Sequence, residues 1–234
     1  MGFKESYFRI LQENNLEKYA TDALAARFEE LTERLLAFNK CVNLTAITDP
    51  EEIILRHYAD CLLAADAFPQ GATVLDVGCG GGFPCLPLAI ARPDLTITGL
   101  DSTAKKLVFV ENTAKEMGLA LSTVAGRAEE LAHGQMRQHF DVVTARAVAA
   151  LNVLVEWSLP FLKVGGKMIA LKGSGGKDEL QAARNAIKTL GGSKVSLKEY
   201  ELADMGRSVI VIDKDSQTPV QYPRPNGKIM KKPL

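Results

Sequence analysis

The sequence predicts an α/β fold: a Rossmann-like seven-stranded sheet, its last strand antiparallel, with an N-terminal helical extension. Three observations carry that prediction. Apolar residues recur at helical spacing before residue 71, strand and helix patterns alternate after it, and a glycine-rich turn follows the first strand of the alternation. Repeated β-α-β units demand a parallel sheet with helices on both faces.

The elements follow in order. Leu24, Phe28, Leu31, Leu35 and Phe38 step by 4, 3, 4 and 3, one apolar stripe on one helix face. Thr21 or Asp22 caps its start. "NKCVNLTAITDP" reads as a loop, and Asp49-Pro50-Glu51-Glu52 opens a second helix running to Phe68, with an N-cap, an N1 proline and an acidic first turn. Pro69-Gln70-Gly71 ends the helical region. The strands are then "TVLDVG", "LTITGLD", "LSTVAG", "FDVVTAR" and "GGKMIALK". Between and after them, "FPCLPLAIAR", "TAKKLVFVENTAKEMG", "VAALNVLVEWSLPFL" and "ELQAARNAIKTLG" read as helices. "KVSLKEYEL" and "SVIVIDK", joined by "ADMGR", form a terminal hairpin that adds an antiparallel edge strand. The expected organisation is a helical region 1–70, a sheet domain 71–219 and a basic tail 220–234.

Composition excludes several classes. No stretch approaches the ~18 apolar residues of a membrane span, and the opening "MGFKESYFRI" lacks the apolar core of a signal peptide. Cys41, Cys61, Cys79 and Cys85 include no C-x-x-C pair, so reduced cytoplasmic thiols and no metal site are expected. Net charge is zero but uneven: residues 1–70 carry 7 basic and 12 acidic side chains, residues 171–234 carry 12 and 7. The last eleven residues, "RPNGKIMKKPL", hold Arg224, Lys228, Lys231 and Lys232 and no acid. Such a tail can meet phosphate, or it can be a frayed terminus.

The glycine turn reads Gly78-Cys79-Gly80-Gly81-Gly82-Phe83. A dinucleotide fold needs G-x-G-x-x-G, and Phe83 occupies the third glycine position. Pro84 and Pro87 fall in the first helical turn and remove N–H donors that a pyrophosphate uses. S-adenosylmethionine, less anionic, suits such a loop better. Asp101 ends the second strand, 23 residues after Gly78, where a carboxylate can accept both ribose hydroxyls or cap the next helix. Together with the terminal hairpin, these residues point to a class I S-adenosylmethionine-dependent methyltransferase. Arg146 stands at the end of the fourth strand, where ligands bind in such sheets.

Further stretches carry a resemblance. "NLTAI", "HYAD", "GFPCLPLAI", "LDSTAKKLVFV", "GRAEEL", "TARAVAAL", "PFLKVGGKMIALKG", "YPRPNG" and "KKPL" run nearly end to end. Through them the chain resembles the RsmG (GidB) family of bacterial 16S rRNA guanine-N7 methyltransferases. The resemblance implies that Gly78, Gly80 and Phe83 line the methionine and adenosine end of the cofactor, that Asp101 and Ser102 meet the ribose, and that Ala128 and Glu129 border the adenine. It implies that Arg146 stands where cofactor and RNA meet. The implied target is one guanine of the 530 loop in the small ribosomal subunit. The cysteine usage predicts a cytoplasmic protein, and no obvious dimer helix appears, so a monomer is expected. Lys105, Lys106, Lys172, Arg224, Lys228, Lys231 and Lys232 are candidate phosphate contacts. His57 and Asp60 are either functional at the domain junction or a helix-capping pair. Three residues depart from the family pattern: Cys85 for glycine, Cys61 for serine and Pro225 for arginine.

Guanine N7 has a lone pair and no proton, so methylation needs no general base, and the enzyme's work is positioning and electrostatics. N7 is hidden in a duplex groove, which demands an unpaired or splayed base. A small-molecule methyltransferase with a closed apolar acceptor pocket and a non-catalytic ribosome-binding module are the alternatives.

Overall fold

A computed structural model describes residues 2–234. The apolar stripe of the sequence becomes α2 (Asp22–Asn39), which packs on α1 (Phe3–Glu13). Thr21 caps α2 through its hydroxyl, which accepts from Leu24 N at 3.3 Å. Phe28 of α2 lies between Tyr7 and Tyr58, with ring centroids 5.5 and 4.7 Å away. Aromatic pairs in this range add to the burial of their area.

The expected second helix forms only in pieces. Asp49 caps α3 (Pro50–Ile53), accepting from Glu52 N at 3.0 Å. The chain then widens into a π-helical stretch, Ile54–Ala59, before α4 (Asp60–Leu62). Hydrophobic periodicity does not distinguish a π turn from an α turn. Such turns recur at functional sites, and this one delivers His57 and Asp60.

After residue 71 the chain alternates as expected: β1 (Thr73–Val77), α5 (Cys85–Ala91), β2 (Thr96–Asp101), α6 (Ala104–Glu116), β3 (Leu121–Ala125), α7 (Ala128–Leu131) and β4 (Phe140–Arg146). Then come α8 (Leu151–Ser158), β5 (Leu162–Gly173), α9 (Gly176–Thr189), β6 (Gly192–Leu202), β7 (Met205–Lys214) and α10 (Asn226–Lys231). The sheet order is β3-β2-β1-β4-β5-β7-β6. The antiparallel strand is β7, but it is not the edge. It pairs with β5 from Lys167↔Asp213 to Gly173↔Arg207, and β6 lies outside it. The reason is patterning: β7 buries Val209, Ile210 and Ile212, whereas β6 alternates polar residues suited to an edge. The hairpin turn is shorter than expected, only Ala203-Asp204, with Ala203 at φ 50°.

Two apolar cores flank the sheet. One joins α1, α2, α5 and α6 to Val74, Ile97 and Val142; the other joins α8 and α9 to Leu75, Val143 and Ile210. The change of pattern at residue 71 is therefore not a change of core: the N-terminal helices cover one sheet face.

The C-terminal tail is docked rather than frayed. Arg137 donates to the carbonyls of Thr218 at 2.7 Å and Tyr222 at 2.8 Å, and His133 Nε2 donates to Pro223 O at 2.8 Å. Ile229 of α10 is fully buried.

Candidate functional site

The glycine loop leaves β1 at the sheet's C-terminal edge. Gly78, Gly80 and Gly82 have φ of 73°, 54° and 92°, a left-handed run that favours glycine. At Gly78 a Cβ would also come within 2.8 Å of Val148; at Gly80 it would enter open space, with only Gly78 O as close as 4.0 Å. Gly80 therefore leaves room for something other than protein. Apart from Gly81 N, the loop's donors are already engaged: Gly78 N and Cys79 N donate to Leu100 O, Gly80 N to Asp101, and Gly82 N and Phe83 N to Cys79 O. A pyrophosphate would find no cradle of free N–H groups here. This extends the inference drawn from Pro84, now the α5 N-cap, and Pro87 in its first turn.

Asp101 is engaged through both carboxylate oxygens. Its Oδ2 accepts from Gly80 N at 2.9 Å and its Oδ1 from Thr103 N at 2.7 Å, so it fastens the loop to the start of α6. Each oxygen can accept one further hydrogen bond. Beneath the loop lies Asp76, which no motif of the sequence marks. It is fully buried, its Oδ2 accepts from Cys85 N at 3.0 Å, and its Oδ1 has no partner. Burial pushes its carboxyl up to about 7. An acid inside the apolar run "TVLDV" was the available signal. Cys85 and Cys79 pack their sulfurs toward Gly99, so the thiol at position 85 fills space without strain.

Arg146 ends β4 and is held from three sides. Its Nη1 donates to Asp60 at 2.8 Å and to Arg56 O at 3.0 Å, and its Nη2 donates to His57 Nδ1 at 3.1 Å. Its guanidinium carbon lies 5.4 Å from the centre of the Phe83 ring, on which His57 stacks at 4.3 Å. Because Nδ1 accepts, His57 is neutral and its Nε2 donates to Thr45 Oγ1 at 2.8 Å. Burial, then the charge of Arg146, pushes the imidazole down to about 3. Asp60 also accepts from Arg207 Nε at 3.0 Å. His57 and Asp60 are thus not a capping pair: they anchor Arg146, and Asp60 bridges two arginines. In the sequence Arg207 belongs to the hairpin loop "ADMGR" and carries no local signal of its pairing across the sheet. Ala147, next along, has φ 56°, a left-handed conformation costing about 1–2 kcal/mol, at the point where strain often accompanies function.

Two cavities meet at Arg146, Ala147 and Val148. The first, about 420 Å³, runs from Gly78 and Phe83 past Asp101 and Ser102 to Ala128, Glu129, Trp157 and Asn226. It brings together every residue expected at the cofactor. The second, about 700 Å³, opens on the other side and is bordered by Asp60, Lys172, Glu179 and Arg207. Arg146 Nε, Trp157 Nε1 and Asn226 Oδ1 are buried without hydrogen-bond partners along the first cavity. The open space at Gly80, the unpaired polar atoms and the Asp101 carboxylate fit S-adenosylmethionine.

The basic candidates divide. Lys105, Lys228, Lys231 and Lys232 are exposed, and Lys106 lines the first cavity. Two others are already engaged in the protein, which corrects their grouping with the phosphate contacts. Lys172 is buried and pairs with Glu179 at 2.7 Å. Arg224 clamps the fully buried Glu156 through Nε at 2.8 Å and Nη2 at 2.6 Å, while its own backbone N donates at 2.8 Å. Glu156, an acid inside the apolar "VLVEWSL", was a second overlooked signal. Among the described residues no cluster of metal-ligating side chains occurs and no helix is long and apolar enough to cross a membrane.

Solved structures share this architecture. An S-adenosylmethionine-dependent O-methyltransferase from Thermotoga maritima superposes with a TM-score of 0.55 at 14% identity, covering 79% of this chain and 73% of that one. TrmN from Thermus thermophilus gives 0.51 at 21% identity, covering 69% and 53%. Fold and cavity fit an S-adenosylmethionine-dependent methyltransferase, and the family match establishes that class. The model of the GidB family, rRNA small subunit methyltransferase G, matches residues 24–208. Two relatives named ribosomal RNA small subunit methyltransferase G agree. The one from Clostridium perfringens is 40% identical, covering 96% of this chain and all of its own length. The one from Alkaliphilus metalliredigens is 45% identical, covering 86% of each. The chain belongs to the GidB family.

Proposed function

We propose that this enzyme methylates N7 of a guanine in small-subunit ribosomal RNA, the 530-loop guanine that the family resemblance implies. S-adenosylmethionine supplies a methyl group on a sulfonium, an electrophile that needs no activation by a base. The first cavity takes the cofactor: Gly78, Gly80 and Phe83 at its methionine end, Asp101 and Ser102 at the ribose, Ala128 and Glu129 at the adenine. The second cavity takes the splayed guanine.

The observation that carries this reading is the meeting of the two cavities at Arg146. Its guanidinium is held in one orientation by Asp60, Arg56 O and His57, with Nε left unpaired. A fixed donor at that junction can hold the guanine's O6, adjacent to N7, and so aim the N7 lone pair across the boundary. No side chain at the junction has to accept a proton. The second cavity is bordered by Asp60, Lys172, Glu179 and Arg207. Ala147, Val148, Ala149, Ala150 and Leu171 supply an apolar wall for the face of a base, and the charged side chains, paired as Asp60–Arg207 and Lys172–Glu179, offer its polar edge hydrogen-bond partners. The exposed Lys105, Lys228, Lys231 and Lys232 contact phosphates, while Lys172 and Arg224 act inside the protein.

The test is to incubate the enzyme with methyl-labelled cofactor and small subunits, or their naked rRNA, from cells lacking their own copy of the enzyme, then map the label. Label at one guanine, released by chemistry specific for N7-methylguanine, is the expected outcome. Label on another base, or none on either substrate, contradicts the proposal.

A further inference from the structure

The C-terminal helix was expected to serve RNA, yet its first residue lines the cofactor cavity. Asn226 opens α10, and its Oδ1 is buried without a partner. Trp157 of α8 lines the same cavity, and its Nε1 is likewise buried and unpaired. Burying a donor or an acceptor unpaired is unfavourable, and native proteins seldom tolerate it without a use. Here one of each borders one cavity, together with Ala128 and Glu129. A ligand that satisfies both must present a hydrogen-bond donor beside an acceptor on a flat, largely apolar body. Adenine does so: its exocyclic amine donates, and its ring nitrogens accept.

We infer that Asn226 and Trp157 read the edge of the cofactor's adenine, with Asn226 Oδ1 accepting from the amine and Trp157 Nε1 donating to a ring nitrogen. This rests on the first cavity being the cofactor site. It makes the C-terminal segment part of that site, not an appendage. The segment is placed for it by a separate set of contacts: Arg224 on Glu156, Arg137 on the carbonyls of Thr218 and Tyr222, and buried Ile229. Because Lys228 and Lys231 lie on the same six-residue helix, adenine binding and the position of these lysines are linked.

The experiment compares S-adenosylhomocysteine with S-inosylhomocysteine by calorimetry. Hypoxanthine replaces the amine donor with a carbonyl acceptor, which opposes Asn226 Oδ1. The wild type should bind the inosyl compound about tenfold more weakly. Asn226→Ala should weaken the adenosyl compound by about threefold to tenfold and shrink the adenosyl preference. Trp157→Phe, which keeps the aromatic body, should weaken the adenosyl compound to a similar degree. As a second readout, S-adenosylhomocysteine should slow amide exchange over residues 224–231 in the wild type but not in Asn226→Ala. Tight binding with an unchanged adenosyl preference in Asn226→Ala overturns this inference alone. Absence of S-adenosylhomocysteine binding by the wild type overturns the cofactor site as well.

Discussion

Arg146 and Arg224 are both clamped by carboxylates shielded from solvent, yet they do opposite things. Arg224 closes on Glu156 with two side-chain donors and a backbone N–H, all on one acid. Both oxygens of the acid are satisfied, and the pair fastens the tail. Arg146 shares Asp60 with Arg207, leans on His57 and Phe83, and keeps one donor unpaired between two cavities. Its surroundings are two cavities rather than a docked segment. In the sequence Arg146 reads as the end of a strand and Arg224 as part of a basic tail, and neither shows its buried carboxylate partner. The difference lies in what surrounds each clamp, a docked tail for Arg224 and two cavities for Arg146, and in partners 68 to 90 positions away.

The comparison can be broken most forcefully at Asp60. Asp60→Ala leaves Arg146 and Arg207 buried without their shared carboxylate. Unfolding free energy should fall by about 3–5 kcal/mol in urea titration, and S-adenosylhomocysteine binding should weaken with it. Arg146→Lys is the gentler companion: it keeps the charge but not the planar fork, so single-turnover transfer should drop far more than stability. Equal losses would make Arg146 a structural residue like Arg224.

A pH effect should come next. Folded Asp76 keeps a proton up to about pH 7, whereas the unfolded chain releases it near 4. Its contribution to stability is full below about pH 4 and is lost as pH rises through 7. His57 runs the other way. It stays neutral down to about pH 3 when folded, so its contribution is full above about pH 6.5 and is lost as pH falls. Asp76→Asn should therefore gain on the wild type as pH rises from 4 to 7, by at most about 1.4 kcal/mol per pH unit. Parallel stability profiles would show that Asp76 does not titrate in this window.

On the other side, Glu156→Gln keeps a hydrogen-bonding side chain but removes the charge that closes the Arg224 clamp. A loss of about 1–3 kcal/mol is expected, read as faster amide exchange confined to residues 218–231. Exchange that rises throughout the sheet would mean that the tail is part of the global fold. The smallest stability change belongs to the surface. Reversing Lys228 and Lys231 to Glu should move stability by less than about 0.5 kcal/mol. The same change should weaken RNA binding and flatten its salt dependence. Unchanged affinity and salt slope would remove α10 from the RNA surface.

Much of the fold was legible because local chemistry agreed with it. Thr21 and Asp49 cap helices where expected, and the β-α alternation gives the sheet. The glycine loop could be read down to its ligand class, since Phe83 and two prolines change what a backbone can donate. What escaped was set by distance or by an unusual turn. β7 inserts beside β5 because its apolar run outcompetes β6 for the interior. The π-helical stretch that aims His57 and Asp60 has no periodic signature. Arg207, Glu179 and Asn226 reach their cavities from elements remote in sequence. Asp76 and Glu156 were visible as acids in apolar runs and should be read as signals of buried partnership.

The central claim is that the junction at Arg146 presents a guanine N7 to the methyl donor. The most direct measurement uses small-subunit rRNA transcribed with 7-deazaguanosine, in which N7 becomes a carbon while Watson–Crick pairing is kept. The account predicts no methyl transfer to this RNA, together with competition against normal rRNA at comparable affinity. Transfer to the 7-deaza RNA at a normal rate would contradict it.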